Sequence, residues 1–178
     1  MHKDITGLIL AGGRSQRMGR DKANMLFHGV PMLQRACDLL HRIRLREVVI
    51  LGSPDNPTAQ DAYPGPARAV FNWLRQQDRP CSILVLPVDM PALDTETLEF
   101  LLSNKSGAYF RDCYLPFYAP QPHFPASYRP PERLRDLLSF LRLESLPVPE
   151  NFRLKLTNVN TPNALKQLEA AIKPVISL

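Results

Sequence analysis

Cysteine is scarce in this sequence, and the few cysteines do not form a framework. The chain has 3 cysteines among 178 residues, and Cys37, Cys81 and Cys113 lie far apart without a Cys-x-x-Cys pair. An odd number of widely spaced cysteines argues against a set of disulfides and against a structural zinc site. We therefore expect three buried thiols.

Long apolar runs and targeting signals are also missing. No hydrophobic stretch approaches the roughly 20 residues that a helix needs to cross a bilayer. Asp4 and the early glycines interrupt the N-terminal region, where a secretory leader would need an apolar core. We expect a soluble, cytoplasmic protein without a membrane partner.

The composition is that of an ordinary globular protein. Hydrophobic residues make up 44% and charged residues 22% of the 178 residues, which is close to the average for folded domains. The length suits one domain with a substantial core. We expect a single domain over residues 1–178.

The net charge of +5 favours a polyanionic partner, which could be nucleic acid, a nucleotide or a phosphorylated metabolite. Arginines such as Arg42, Arg44 and Arg133 stand at spacings typical of solvated helix faces. The sequence contains no recognised DNA- or RNA-binding module. Nucleic acid is therefore the least favoured of these partners.

Hydrophobic periodicity predicts strands alternating with helices. Short buried runs predict strands at 5–11, 48–51 and 83–88, and helical spacing predicts helices at 31–43, 67–77, 95–102, 132–143 and 162–172. This alternation is typical of an α/β fold with a mostly parallel sheet. The aromatic segment 108–119 is predicted to leave the parallel pattern as one or two strands, residues 147–156 are a further strand candidate, and residues 12–29 are predicted to be a loop.

The segment "LILAGGRSQRMGRDK" ends the first predicted strand in two glycines and then places four cations on one loop. Glycines let the backbone approach a ligand and turn its N–H groups toward anionic oxygens, and cations at several positions suit a triphosphate. The segment matches neither the P-loop nor the dinucleotide-binding fingerprint. An alternative is a simple glycine turn followed by a solvated basic loop.

Asp89 follows the third buried strand of the predicted sheet. Because ligands of open α/β sheets bind beyond the carboxyl ends of the strands, Asp89 and the loop from Gly12 to Lys22 should emerge at the same edge. A carboxylate there could bind a divalent cation. It could equally cap or orient the turn that contains Pro91.

Several segments together resemble the nucleotidyltransferase family of the molybdenum cofactor guanylyltransferases. The family pattern is Leu-Ala-Gly-Gly, then Arg-Met-Gly and Asp-Lys, as in "LILAGGRSQRMGRDK". The likeness continues in "HGVPMLQRACDLL", "YPGPARAV", "VLPVDMPAL" and "NVNTPNAL". It extends from Leu8 to Leu165, which is nearly the whole chain.

The resemblance implies a doubly wound, three-layer α/β/α fold of the glycosyltransferase-A-like nucleotidyltransferase type. It also implies transfer of GMP from GTP to the phosphate of molybdopterin, with Mg²⁺ as cofactor. GTP and molybdopterin would be the substrates, and other proteins of molybdenum cofactor biosynthesis could be partners.

Site residues are carried over by position. The resemblance implies that the strand end and glycine loop bind the nucleotide, that Asp89 is the Mg²⁺ ligand, and that Lys22, Asp89 and Arg17 act in catalysis. Asp61 is the nearest match to a further family aspartate. The residues implied in nucleotide or metal binding are Leu10, Ala11, Gly12, Gly13, Lys22, Asp61 and Asp89.

The sequence departs from the family pattern in two places. Arg68 and Ala69 stand where a glycine-rich Leu-x-Gly is usual, and the strand "VVILGSP" lacks an asparagine often found after it. Both departures bear on which nucleotide base the protein would select. The alternatives are thus a cytidylyl- or sugar-phosphate nucleotidyltransferase, or a nucleotide-binding relative without catalysis.

The other polar and aromatic candidates have two interpretations each. Asn158, Asn160 and Thr161 could contact the pterin, as the resemblance suggests, or could cap the last helix. Aromatic residues of 109–118 could line a pterin slot or pack in the core. The four histidines show no metal-binding spacing.

Overall fold

The computed structural model describes residues 2, 4–12, 22–52 and 65–172, with Lys22 described in its backbone only. Two sheets and five α-helices make up the described part of the chain. The strands are β1 (Ile5–Leu10), β2 (Leu26–Phe27), β3 (Val30–Pro31), β4 (Glu47–Leu51), β5 (Ser82–Pro87), β6 (Ala108–Phe110), β7 (Cys113–Ala119) and β8 (Glu144–Leu146). The helices are α1 (Met32–Arg42), α2 (Pro66–Arg75), α3 (Thr95–Leu102), α4 (Leu134–Phe140) and α5 (Pro162–Ala171).

The main sheet has six strands in the order β4-β1-β5-β7-β6-β8. β1 pairs in parallel with β4 and with β5, so that Leu8 lies between Val49 and Val85. β7 runs antiparallel to both β5 and β6, and β8 is parallel to β6. The sheet is therefore mostly parallel, and the prediction that residues 108–119 leave the parallel pattern is confirmed.

Alternating side chains of the central strands fill two separate cores. On one face, Ile9 of β1 and Leu86 of β5 belong to a cluster that includes buried residues of α1, α3 and α5. On the other face, Leu8 and Val85 belong to a cluster with buried residues of α2 and α4. A strand covered on both faces needs a continuous apolar run, as the β1 and β5 sequences have. The three-layer, doubly wound architecture predicted from the sequence is confirmed.

Helix starts follow from local chemistry. The Asp94 carboxylate accepts hydrogen bonds from the N–H and hydroxyl groups of Thr97 at the start of α3 (2.9 and 2.7 Å). The Thr161 hydroxyl accepts one from the Ala164 N–H at the start of α5 (3.1 Å). Such caps satisfy backbone donors that a helix leaves without a partner.

Three predicted elements differ from the structure. The strand expected at 147–156 is wrong: β8 ends at Leu146, and residues 150–152 form a short 3-10 helix. Pro147 and Pro149 lack the N–H that a ladder needs, so pairing stops there. The loop predicted for 12–29 contains a 3-10 turn at Lys22–Asn24 and the start of the β2–β3 hairpin, and the helix predicted at 132–143 is limited to α4.

The three cysteines are free, as expected, but each is only partly buried, whereas the sequence predicts buried thiols. Burial raises the pKa of each thiol, so the thiols stay protonated near neutral pH. Among the described residues, no helix is long and apolar enough to span a bilayer.

Candidate functional site

The carboxyl ends of the three parallel strands are joined by backbone hydrogen bonds. The N–H groups of Ala11 and Gly12 both donate to the Leu51 carbonyl (2.9 and 3.2 Å), and the Val88 N–H donates to the Leu10 carbonyl (3.1 Å). Leu10 is buried, whereas Ala11 and Gly12 are partly buried. The structure therefore places the strand end Leu10–Gly12 directly beside the segment that carries Asp89.

Asp89 occupies the turn after β5. Its neighbours Val88 and Met90 are buried (5% and 4% exposed), and Asp89 itself is partly buried. Its carbonyl accepts a hydrogen bond from the Val159 N–H (2.7 Å). Buried side chains on both sides and a bonded carbonyl fix the backbone from which the carboxylate projects.

The backbone of Lys22 begins the 3-10 turn that precedes the hairpin. Ala23 is 5% exposed and belongs to the core that includes α1. The Met32 N–H, at the start of α1, donates to the Met25 carbonyl (2.9 Å). The end of the basic loop is thus fastened to α1. Gly13, Arg17 and Asp61 lie outside the described residues.

The "NVNTP" segment reaches the same edge. Val159 is buried at 1% exposure and donates to the Asp89 carbonyl, while its neighbours Asn158 and Asn160 are exposed. Thr161 caps α5, so the capping interpretation is confirmed for this residue. The two asparagines flank the contact with the Asp89 turn, where a ligand could reach them.

A cleft that the sequence did not reveal lies beyond the carboxyl ends of β6 and β8. Its volume is about 520 Å³. It is lined by Arg111, Asp112, Cys113, Pro147, Val148, Arg153, Leu156 and Asn158. Asn158 connects the cleft with the Asp89 turn through its neighbour Val159. The cleft forms because β6 and β8 pair in parallel. Hydrophobic periodicity within each segment does not predict such a pairing between distant strands.

The cleft carries two arginines. Arg153 pairs with Glu150 (2.9 Å) and keeps 67% of its side chain exposed. Arg111 is also exposed and follows β6 at a sharp turn, where Asp112 has a φ of 62°. Exposed guanidinium groups can form paired hydrogen bonds with a phosphate.

The aromatic residues of segment 108–119 divide by burial. Phe110 and Phe117 are 0% exposed and belong to the two cores. Tyr114, in contrast, is 40% exposed. The core interpretation is confirmed for the two phenylalanines.

A network of charges holds the segment before "NVNTP" against α3. The Lys155 ammonium contacts the carboxylates of Asp94 (2.6 Å) and Glu96 (2.8 Å) and lies 5.0 Å from the Phe152 ring centre. Burial lowers the pKa of Lys155, but its hydrogen bonds to Asp94 and Glu96 outweigh burial and raise it. Burial raises the pKa of Asp94, but hydrogen bonds from Lys155 and Thr97 outweigh burial and lower it. Both groups are thus held in their charged forms.

The unusual loop residues Arg68 and Ala69 lie in the first turns of α2. Gly65, with a φ of 93°, precedes that helix, and its carbonyl accepts from the Ala69 N–H (3.0 Å). Arg68 forms a long ion pair with Glu132 (3.7 Å). The departure from the family pattern therefore adds a cation at the surface of α2 and leaves the helix intact.

The described residues contain no group of three or more His, Cys, Asp or Glu side chains placed to hold a metal ion. Asp89 offers one carboxylate at the edge of the sheet. Mg²⁺ is commonly held by one or two carboxylates together with substrate phosphates and water. The donor set therefore fits an ion that is bound jointly with a nucleotide.

Comparisons with known proteins identify the family of this chain. Residues 7–146 match the model of the MobA-like NTP transferase domain family. A molybdenum cofactor guanylyltransferase from Xanthomonas euvesicatoria is 32% identical over 184 residues, which cover 94% of this chain and 96% of that protein.

Solved structures share the fold. A nucleotidyl transferase from Methanothermobacter thermautotrophicus has a TM-score of 0.65 at 15% identity, covering 94% of this chain and 96% of that chain. Molybdopterin-guanine dinucleotide biosynthesis protein A from Archaeoglobus fulgidus has a TM-score of 0.59 at 19% identity, covering 93% and 97%.

Proposed function

Because the chain belongs to the family of MobA-like NTP transferase domains, we propose that it transfers GMP from GTP to the phosphate of molybdopterin. The products are the guanine dinucleotide form of the cofactor and pyrophosphate. The Xanthomonas relative, named a molybdenum cofactor guanylyltransferase, supports this substrate pair because the similarity covers almost the whole of both chains.

The observation that carries the proposal is the contact between the end of β1 and the segment that carries Asp89. The Val88 N–H donates to the Leu10 carbonyl, whereas the Ala11 and Gly12 N–H groups donate to the Leu51 carbonyl of β4. Because those two N–H groups are already used within the sheet, a triphosphate at this edge would take its backbone donors from the loop that follows Gly12, with the Asp89 carboxylate beside it. This is the arrangement that a metal-bound nucleotide needs.

The reaction requires charge neutralisation more than proton transfer. An oxygen of the acceptor phosphate attacks the α-phosphorus of GTP, a new P–O bond forms, and the bond to the β-phosphate breaks as pyrophosphate leaves. The acceptor is a phosphate monoester with a charge of about −1.5 to −2 at neutral pH, so its attacking oxygen is already deprotonated. No general base is needed, and repulsion between the two anions is the main obstacle.

The proposed roles of the residues follow from that obstacle. Asp89 holds Mg²⁺, which supplies positive charge at the phosphates, and Lys22 and Arg17 neutralise the charge that grows toward the leaving pyrophosphate. Leu10, Ala11, Gly12 and Gly13 bind the nucleotide through the strand end and its loop. Asp61 is a further proposed nucleotide contact.

The acceptor is proposed to lie in the cleft beside Asn158. Its volume of about 520 Å³ suits a small ligand. Arg111 and Arg153 complement an anionic group, and Val159 links the cleft to Asp89.

The cellular setting is also part of the proposal. Residues 1–178 are proposed to act as a single domain in the cytoplasm, with other proteins of molybdenum cofactor biosynthesis as partners. Helix α5, beyond the end of the family match, packs Leu165 and Leu168 into the same core as α1. This packing supports treating the two regions as one folding unit.

The test is nucleotide preference in the presence of the acceptor. Purified protein is mixed with Mg²⁺, molybdopterin and either GTP or CTP, and the dinucleotide product and pyrophosphate are both measured. We expect both products with GTP and little of either with CTP. Preference for CTP would indicate a cytidylyltransferase, and nucleotide binding without turnover would indicate a non-catalytic relative; either result would contradict the proposal.

A further inference from the structure

We propose that Arg35 is a positioning residue that fixes the Asp89–Pro91 turn to α1 and to the hairpin following Lys22. This inference rests on the proposed function, because it assigns Arg35 a role in placing two segments of that site. Arg35 itself is not proposed to contact the nucleotide.

Arg35 contacts both segments. Its Nε–H donates to the Pro91 carbonyl (3.1 Å), across 56 positions of sequence. Its guanidinium carbon lies 4.9 Å from the centre of the Phe27 ring. Pro91 is two residues after Asp89, and Phe27 is in the hairpin that directly follows the Lys22–Asn24 turn.

The two contacts are made to packed surroundings. Phe27 is 0% exposed and Met90 is 4% exposed. The Leu93 N–H donates to the Met90 carbonyl (3.2 Å), which closes the chain after Pro91 into a turn. A shift of Arg35 would therefore be transmitted to the Asp89 backbone through a short, packed segment.

Placing the charged Arg35 side chain at this position on α1 would carry a desolvation cost without these two contacts. Met32, Ala36 and Leu39, which surround it on the helix, are buried. Burial lowers the pKa of Arg35 and the positive charge of Arg42 lowers it further, while the negative charge of Asp38 opposes part of this shift. A guanidinium remains charged under these conditions, and the Pro91 carbonyl and Phe27 ring offset its partial desolvation.

Two substitutions separate the hydrogen bond from the bulk of the side chain. Arg35→Gln places an amide nitrogen where Nε stands, so it can still donate to the Pro91 carbonyl. Arg35→Met places a methyl carbon at that point and cannot donate. We expect kcat/KM to fall about tenfold or more in R35M, because small displacements of reacting groups are costly, and to stay within about threefold of wild type in R35Q.

Equilibrium binding gives a second readout. The affinity for GTP measured by calorimetry with and without Mg²⁺ reports on the Asp89 turn independently of turnover. R35M should lose most of the gain in affinity that Mg²⁺ provides, whereas R35Q should keep it. Arg75→Met is the control, because it removes an exposed cation from the last turn of a different helix, α2, and should leave both readouts unchanged.

The outcomes distinguish this inference from the proposed function. A wild-type protein that transfers no GMP would contradict the proposed function, and the calorimetric comparison would then decide the role of Arg35. Both variants lose the guanidinium contact with Phe27, so a difference between them reports the hydrogen bond to Pro91 alone. Equal losses in R35Q and R35M would overturn the role of that hydrogen bond, and no loss in R35M would overturn the positioning role as a whole. If R35M does not fold, R35Q decides alone, and a loss of more than about tenfold in its kcat/KM would overturn the role of the hydrogen bond.

Discussion

Asp89 and Lys22 each lie next to residues that are buried in the core. Their side chains can therefore be replaced without disturbing the packing of the segments that carry them. Replacing Asp89 with Asn keeps the shape and leaves the hydrogen bond from Val159 to the carbonyl intact. Replacing Lys22 with Ala leaves Ala23 in the core. We expect each variant to lose about a hundredfold or more in kcat, on the order of 3 kcal/mol of transition-state stabilisation.

The measurement is steady-state GMP transfer together with thermal melting. Melting temperatures close to wild type with strongly reduced kcat support the catalytic roles. Activity within a few-fold of wild type in either variant would remove that residue from the mechanism.

The Asp94–Lys155 pair should make stability depend on pH in a defined direction. The pKa of Asp94 is lowered from its ordinary 3.8 in the folded protein, so the pair stabilises the fold above about pH 4 and loses this contribution as pH falls through the folded pKa. Two-fifths of the Asp94 side chain is exposed, which limits the gain to about 1 kcal/mol. Asp94→Asn should therefore lower the melting temperature by about 2–4 °C at pH 7.

The same comparison at low pH is the decisive part. The difference between wild type and D94N should shrink below pH 4, because the wild-type carboxylate also becomes neutral. Asp94→Ala is the matched variant, since it also removes the helix cap and should cost about 1 kcal/mol more than D94N. A difference that stays constant from pH 7 to pH 3 would show that the ion pair contributes nothing.

At the scale of elements, the start of β6 depends on Gly107. Its φ is 85°, and an added Cβ would lie 2.6 Å from Pro120 Cδ and 2.9 Å from the Tyr118 carbonyl oxygen. Backbone strain and overpacking together should make Gly107→Ala less stable by about 2–4 kcal/mol. Denaturant unfolding measures this loss.

Gly29→Ala provides the control for that prediction. Gly29 has a φ of 78°, and nothing lies within 4 Å of a Cβ added there, so this variant carries the backbone strain without the collision. G29A should lose only about 1 kcal/mol. Equal losses in G107A and G29A would show that the close packing against β7 is unimportant.

Elements with a strong local signal could be predicted from the sequence. The apolar runs of β1 and β5 and the caps Asp94 and Thr161 correctly indicate strands and helix starts. The β2–β3 hairpin has strands of two residues, too short for alternation to be detected. The sequence does not predict β8, whose three residues end just before Pro147. The apolar residues that suggest a strand further along belong to the segment that packs on α3 through Phe152 and Lys155.

At the scale of the whole molecule, the same distinction applies to the site. The proximity of Gly12 and Asp89 could be predicted, because both follow buried strands and the carboxyl ends of parallel strands meet at one edge. The cleft with Arg111 and Arg153 could not, since it depends on β8 pairing with β6 across more than 30 positions. Arg35 was also missed, because only the tertiary contact with Pro91 distinguishes it from a solvated arginine.

The central claim is that one triphosphate is held between the loop after Gly12 and the carboxylate of Asp89. A crystal structure with a non-hydrolysable GTP analogue and Mn²⁺, located by its anomalous signal, tests this directly. We predict the ion at about 2 Å from an Asp89 oxygen, with the phosphates against residues 12–22. Nucleotide and ion bound elsewhere, with Asp89 in contact with neither, would contradict the account.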